Sequence, residues 1–485
     1  MRFSRILILG ALAVGVLAQF RPDISRVWND KDVETLEMPL AQRDRSPRHM
    51  SEAEYYKLKP RVIYRSYPAY VTGKEPPGYL ESLTQKEPEV AFDPSKLHTK
   101  EDWIRAGKIV FESENTFFPV ANLRPGGLTL PASATGWVSS DGTIRGSIPR
   151  RRYYIRKKGV LETGNNSCAG CHTRLMPDGS LVLGAQANFP NGFLQPPATD
   201  ASEESAKALL DTHWARNGAP WIELREAFDK AIRAMAPVTG EFPEVIMRQG
   251  TSAMSPPRIP SLIGIADIRY LDATGLVRHR NMGDLMRYAI LNEGLDTAAH
   301  YGDFQPGTTG FSQEEGTRFS DEQLYALGVY LYSLKPPPNP NPMNAAARHG
   351  RTIFQREGCI GCHTPPFYTN NKLTPAVGFQ VPDDLAKSPD VMKISVGTDP
   401  TLALKTRRGT GFYKVPSLRG VWFRSAFGHG GQATSLEEWL DPARHNQDYV
   451  PHGFHRGPGP ILGHPFGLKL NATDKADLIA FLKTL

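Results

Sequence analysis

Cysteine is scarce in this chain, with four among 485 residues, and two short motifs account for all of them. Long apolar runs are missing too. The longest, Ile6 to Leu17, is too short to cross a bilayer comfortably, and no cysteine follows it that could carry a lipid. Acidic residues are outnumbered 50 to 57, giving a net charge of +7 and a pI near 9.1. What is plentiful is glycine (44) and proline (41), which implies many turns and long connections in place of an uninterrupted helical bundle. A hydrophobic content of 40% with 22% charged residues is ordinary for a globular protein. At 53.7 kDa the chain is long enough for two or three domains.

The two motifs are Cys168-Ala169-Gly170-Cys171-His172 and Cys359-Ile360-Gly361-Cys362-His363. Two thiols spaced by two residues can add across the two vinyl groups of one porphyrin, and the histidine that follows is then placed as proximal iron ligand. The pattern predicts two covalently bound haem c groups, ligated by His172 and His363. A redox disulfide or a zinc site uses the same residue types. Zinc knuckles rarely place the histidine directly after the second cysteine, and neither alternative explains why the pattern occurs twice with no thiol left over.

The N-terminus agrees with export. Arg2 and Arg5 precede the apolar run, and Val16-Leu17-Ala18 offers small or apolar residues before Gln19, so residues 1–18 read as a secretory signal. The expected location is periplasmic, where no nucleic acid is a partner and the mature chain does not span the membrane. The densest basic cluster runs from Arg150 to Lys158. It reads as a solvated face, as contacts to haem propionates, or as a dock for an acidic redox protein.

Residues 19–99 form an irregular extension. Apolar spacing predicts a helix over Asp102 to Phe111, and residues 122–160 read as loops with short strands. Amphipathic helices are expected near 202–216 and 221–236, and another from Met282 to Leu291. Ser320 and Gln323 make a capping box that opens the last helix of this half. The run Pro336 to Pro342 is a stiff linker between a first domain, residues 100–335, and a second, residues 343–485. The second half repeats the plan. A helix from Ala345 to Phe354 leads into Cys359, and Val415-Pro416-Ser417-Leu418-Arg419-Gly420-Val421 echoes Ile259-Pro260-Ser261-Leu262-Ile263-Gly264-Ile265. The expected fold is mainly α, with two cytochrome-c-like haem domains in tandem, long loops and an N-terminal extension.

The paired motifs, together with Lys414 to Gly420, Ala426-Phe427-Gly428-His429-Gly430-Gly431 and Thr434-Ser435-Leu436-Glu437-Glu438, resemble the dihaem cytochrome c peroxidase superfamily. That superfamily also holds the methylamine dehydrogenase maturation enzyme and the dihaem rubber oxygenases. The stretch from Cys359 to Leu373 and the tail Gly463-His464-Pro465-Phe466-Gly467-Leu468 are most similar to the rubber-oxygenase branch. The resemblance implies a division of labour: an N-terminal haem that meets hydrogen peroxide or dioxygen, and a six-coordinate C-terminal haem that relays electrons with a redox protein partner. It also raises calcium at the domain junction, although Ala426 replaces the proline that helps present its ligands.

Within the resemblance, His445 is the expected sixth ligand of the second iron, since the usual methionine position, 443, is Ala. Met392 is the soft-ligand alternative, and His429 is expected to orient a propionate or a loop. No histidine lies between His172 and His213, so the first iron is expected to keep an open face. Heterolysis of peroxide needs a proton-moving group, for which Glu293 and His300, with Asp296, are the candidates. Apolar lining is expected from Ile265, Tyr270, Leu271, Met286 and Ile290, and Trp214 or Trp221 could stand in for a bridging tryptophan. A non-catalytic electron-transfer cytochrome is the alternative reading.

Overall fold

Thr99 accepts a bond from the Asp102 amide at 3.1 Å and Asp102 returns one to the Thr99 amide at 2.8 Å, and this reciprocal cap starts helix α1 (Lys100–Glu112). The computed structural model describes residues 20, 22–120, 132–146, 152–189, 219–221, 257–306, 317–455 and 457–485. The signal segment, the helix expected at 202–216, all but the first residue of the one expected at 221–236, Arg150, Arg151, His213 and Trp214 lie outside the described residues.

Helix α1 buries Trp103, Ala106, Gly107, Val110 and Phe111 against α3 (Asp321–Ser333), which opens with the expected Ser320–Gln323 box. Between them comes α2 (Met282–Asn292), capped by Asn281. The two partners α1 and α3 touch at Gly107, where a Cβ would lie 1.9 Å from the Ala326 carbonyl oxygen. The second half makes the same contact. Helix α4 (Ala345–Arg356) crosses α5 (Ala472–Leu482) at Gly350, where a Cβ would lie 1.8 Å from the Asp477 carbonyl oxygen. Only glycine allows backbones this close. The echoed Pro-Ser-Leu segments match as well: Gly264 and Gly420 both take left-handed φ, 75° and 71°, to begin a short 3-10 turn.

The segment 19–99 departs from a simple wrapping extension. Val27, Trp28, Leu36, Tyr55 and Ile63 enter the largest core beside Phe111, Leu324 and Leu327, which takes their apolar surface out of water. It also supplies β1 (Ser66–Pro68) to an antiparallel sheet with β2 (Thr116–Pro119), β3 (Arg152–Lys157) and β4 (Val160–Asn165) in the order β1-β3-β4-β2. Strand ladders thus share the first half with helices, a larger β contribution than a mainly α class implies.

The described part of the basic cluster sits on this sheet and is used there. Arg152 donates to Ser66 Oγ at 2.9 Å, Arg156 pairs with Glu162 at 2.8 Å, and Lys158 pairs with Glu87. A buried ion network ties three parts of the chain together. Arg407 donates to Glu37 at 3.0 Å and to Asp296 at 3.2 Å, His49 reaches Glu37 at 3.2 Å, and Tyr301 Oη donates to Asp296 at 3.1 Å.

Candidate functional site

Helix α4 ends at Gly358, whose φ of 75° turns the chain into the Cys359–Gly361 turn. The amide of His363 then donates to the Cys359 carbonyl at 2.9 Å, which carries the histidine under the turn. His363 Nδ1 faces the Tyr368 carbonyl at 3.1 Å. Donating there fixes the tautomer and leaves Nε2 with its lone pair free. Burial lowers the His363 pKa and raises that of Cys359 to about 11.

These residues line a cavity of about 810 Å³, a volume suited to a large organic cofactor. Cys359 and Cys362 stand at one side, while Ile394, Leu462 and Phe466 give apolar surface. His464 lies across from His363, with 6.3 Å between ring centroids. Two metal–imidazole bonds of ~2 Å, plus roughly 1 Å from each nitrogen to its ring centre, give about 6 Å for a metal held between two histidines. The residues therefore fit a haem with two imidazole ligands.

The position of His464 is strongly determined. Its backbone is left-handed, φ 51°, a strained state for a side chain of this size. Its amide donates to Val396 at 2.7 Å, and Arg444 donates to the carbonyls of Gly463 and His464, both at 2.9 Å. Arg444 is itself buried, over the Trp439 ring at 4.4 Å. The His464 ring packs beside Trp439 and Phe466 at 5.6 and 5.3 Å. Burial pushes the His464 pKa down to about 3, so its imidazole is neutral and can ligate.

His445 has a different setting from the one expected. Its Nε2 faces the Arg444 guanidinium at 2.9 Å and the Gly463 carbonyl at 3.2 Å, and it is not part of the cavity wall. It braces the loop that presents His464. Met392 does reach the wall, with its sulfur 3.6 Å from Asn370 Nδ2. His429 lines the cavity beside Tyr413, and burial lowers its pKa to about 4.

At the first motif, Ser167 caps the Cys168–Cys171 turn by accepting from the Gly170 amide at 3.1 Å, and the His172 amide donates to Cys168 at 3.0 Å. The His172 carbonyl accepts from Gly184 at 2.7 Å, which closes the hairpin that follows. The His172 ring is buried, which lowers its pKa to about 4 against a backbone hydrogen bond at Pro260 that raises it. A buried, neutral imidazole beside two thiols outside any disulfide suits a ligand position.

Glu293, at the end of α2, accepts from Arg61 at 3.1 Å and from Asn115 at 2.8 Å. It is close enough for its charge to act on Cys168. Beside it is a cavity of about 20 Å³, bounded by Tyr55, Arg61 and Phe319, large enough for one water. His300 sits on a short strand paired with Arg48. Asp296 is not a solvated surface group, since it is buried with Arg407 and Tyr301. Trp221 packs on Tyr301 at 5.4 Å. Ile265, Leu271, Met286 and Ile290 belong to the main core, and Tyr270 donates to Asp390 at 2.8 Å. The sequence does not give away Arg444 or His464 as a pair, although an unusual Gly463-His464-Pro465 run marks the loop.

Among the described residues no three His, Cys, Asp or Glu side chains converge as a metal cage, and none of the four thiols is in a disulfide. That arrangement suits a porphyrin, which brings its own four nitrogens, better than zinc. The site and fold define a chain with two Cys-x-x-Cys-His motifs, the second sharing a cofactor-sized cavity with a further histidine, His464.

The sequence matches no protein-family model, and no relative emerges among curated proteins. Solved structures give faint likenesses. One is hydrazine synthase of Kuenenia stuttgartiensis, at 16% identity and TM-score 0.28 over 47% of this chain and 72% of that one. A second is a MauG-like protein associated with microbial copper homeostasis, at 17% and 0.24 over 37% and 62%. A third is a variant of the diheme peroxidase BthA from Burkholderia thailandensis, at 17% and 0.33 over 88% and 93%. Likenesses this weak leave the functional reading to rest on the site's own geometry.

Proposed function

We propose that this protein is a periplasmic dihaem c-type oxidoreductase that passes electrons between a closed second haem and a reactive first one. The observation that carries this reading is the opposition of His363 and His464 across the cavity that Cys359 and Cys362 line. When bound, a haem iron exchanges single electrons and, where one axial position is free, takes a small oxidant such as hydrogen peroxide or dioxygen.

The chain's own residues divide the rest of the work. Cys168 and Cys171 tether one porphyrin, with His172 as its ligand, and Cys359 and Cys362 tether the other. His464, in place of His445, closes the second site, and Arg444 holds it there. Glu293 is the better placed proton-handling group at the first site, since it faces a water-sized cavity and acts on Cys168. Its carboxylate is held by Arg61 and Asn115. Among the described residues no helix is long and apolar enough to cross a membrane.

A pyridine haemochrome assay on the purified protein should return two haems per chain. The ferrous form should bind carbon monoxide at one of them, and peroxide or dioxygen should be turned over. Two haems without a carbon monoxide adduct or turnover would replace this reading with a pure electron carrier, and fewer than two haems would end both.

A further inference from the structure

Three cations are among the residues that line the cavity of the second motif: Arg258, Lys414 and Arg424. Arg258 belongs to the first half of the chain. Its amide donates to the His429 carbonyl at 2.6 Å, and its Nε donates to Gly428 at 3.2 Å. Lys414 Nζ donates to the Tyr270 carbonyl at 3.1 Å. Arg424 donates to the carbonyls of Ser417 and Arg419 at 3.1 and 2.6 Å, and its Nε is buried with no partner. Each side chain is thus aimed and held by neutral carbonyls.

Among the described residues none of the three forms an ion pair with a carboxylate. Asp272 attracts Lys414, and its Oδ1 already accepts from Arg408 and from Tyr288 Oη at 2.5 Å, so its one charge is divided between Lys414 and Arg408. Asp399, the carboxylate in the wall, acts on His429 and Tyr413. The cations also repel one another: Arg258 acts on both Lys414 and Arg424. Loss of water lowers all three, Arg258 to about 10, Arg424 to about 9 and Lys414 to about 8. Gathering like charges in a cavity is unfavourable unless an anion shares it.

We propose that Arg258, Lys414 and Arg424 form the seat for a dianionic ligand edge, namely the two propionates of the porphyrin whose other side is tethered at Cys359 and Cys362. This rests on the haem reading above and adds to it that the first half of the chain clamps the second half's cofactor through Arg258. The cavity's polarity agrees, with apolar Ile394, Leu462 and Phe466 on its wall as well as the cations. A free inorganic anion such as phosphate has the same chemistry and is the competing occupant.

The test is redox titration of the holoprotein, following the second haem by its low-spin signal. A nearby positive charge favours the reduced iron, so Arg258→Gln, Lys414→Met and Arg424→Gln should each lower its midpoint potential. A tenfold loss in the equilibrium constant for reduction is ~59 mV for one electron, and a shift of that order is expected. Arg258→Lys should restore most of it. In the wild type, replacing chloride by phosphate at constant ionic strength should leave the potential unchanged. Unchanged potentials in all three variants, with two haems still bound, would overturn the seat. A phosphate-dependent potential would assign the seat to a free anion and overturn the propionate assignment. Fewer than two haems in the wild type would instead overturn the reading beneath it.

Discussion

Arg444 Nη2 donates to the main-chain carbonyl of His464 at 2.9 Å. One buried guanidinium thereby sets the strained backbone of the residue that faces His363. Arg444→Met leaves the carbonyls of Ile461 and His464 without their donor. Each unmet buried acceptor costs about 1–3 kcal/mol, so denaturant unfolding should show a loss of at least ~2 kcal/mol. A part of the second haem should turn high-spin in the electron paramagnetic resonance spectrum. A fully low-spin spectrum with unchanged stability would detach Arg444 from ligand placement.

The two candidate ligands separate cleanly. His464→Ala should convert the second haem to high spin and open it to carbon monoxide. His445→Ala should leave the spin state intact and lower stability modestly, because His445 only braces Arg444. The opposite pattern would return the ligand to His445.

Glu114 gives a pH prediction. Its carboxyl is buried beside Tyr154, and burial outweighs the hydrogen bond between them and raises its pKa from 4.5 to about 8. A carboxyl raised on folding contributes stability that is complete below its unfolded pKa and is lost as pH rises through the window from 4.5 to about 8. The loss by pH 7 should be on the order of 3 kcal/mol. Glu114→Gln should flatten stability across that window and exceed the wild type at its upper end, as read from urea midpoints at several pH values. A wild-type curve that rises there would refute the assignment.

Gly350→Ala places a methyl 1.8 Å from the Asp477 carbonyl oxygen. Helices α4 and α5 must separate, and overpacking of this kind costs about 1–3 kcal/mol or more. Because α4 feeds directly into Cys359, the variant should also mature with less of the second haem. Full haem loading at wild-type stability would show that the crossing is looser than it looks.

Much of this architecture is legible from local chemistry. The Ser320 cap, the helices before each motif and the paired Pro-Ser-Leu segments depend on neighbours in sequence, so composition and spacing reveal them. His464 as a candidate ligand escapes a search by distance along the chain from His429, because Arg444 holds its loop across 20 positions. Arg258 meets Gly428 across 170 positions, a contact no periodicity announces. Residues 19–99 look irregular for a related reason: their apolar side chains answer to partners such as Phe111 and Leu324, not to a helical or strand repeat of their own.

Arg407 makes the chain indivisible. Its charge is balanced by Glu37 from the N-terminal segment and Asp296 from the first half, so cutting the gene at the proline linker would strand an ion on each side of the cut. Each half alone would carry an unbalanced buried charge and should be less stable apart than joined.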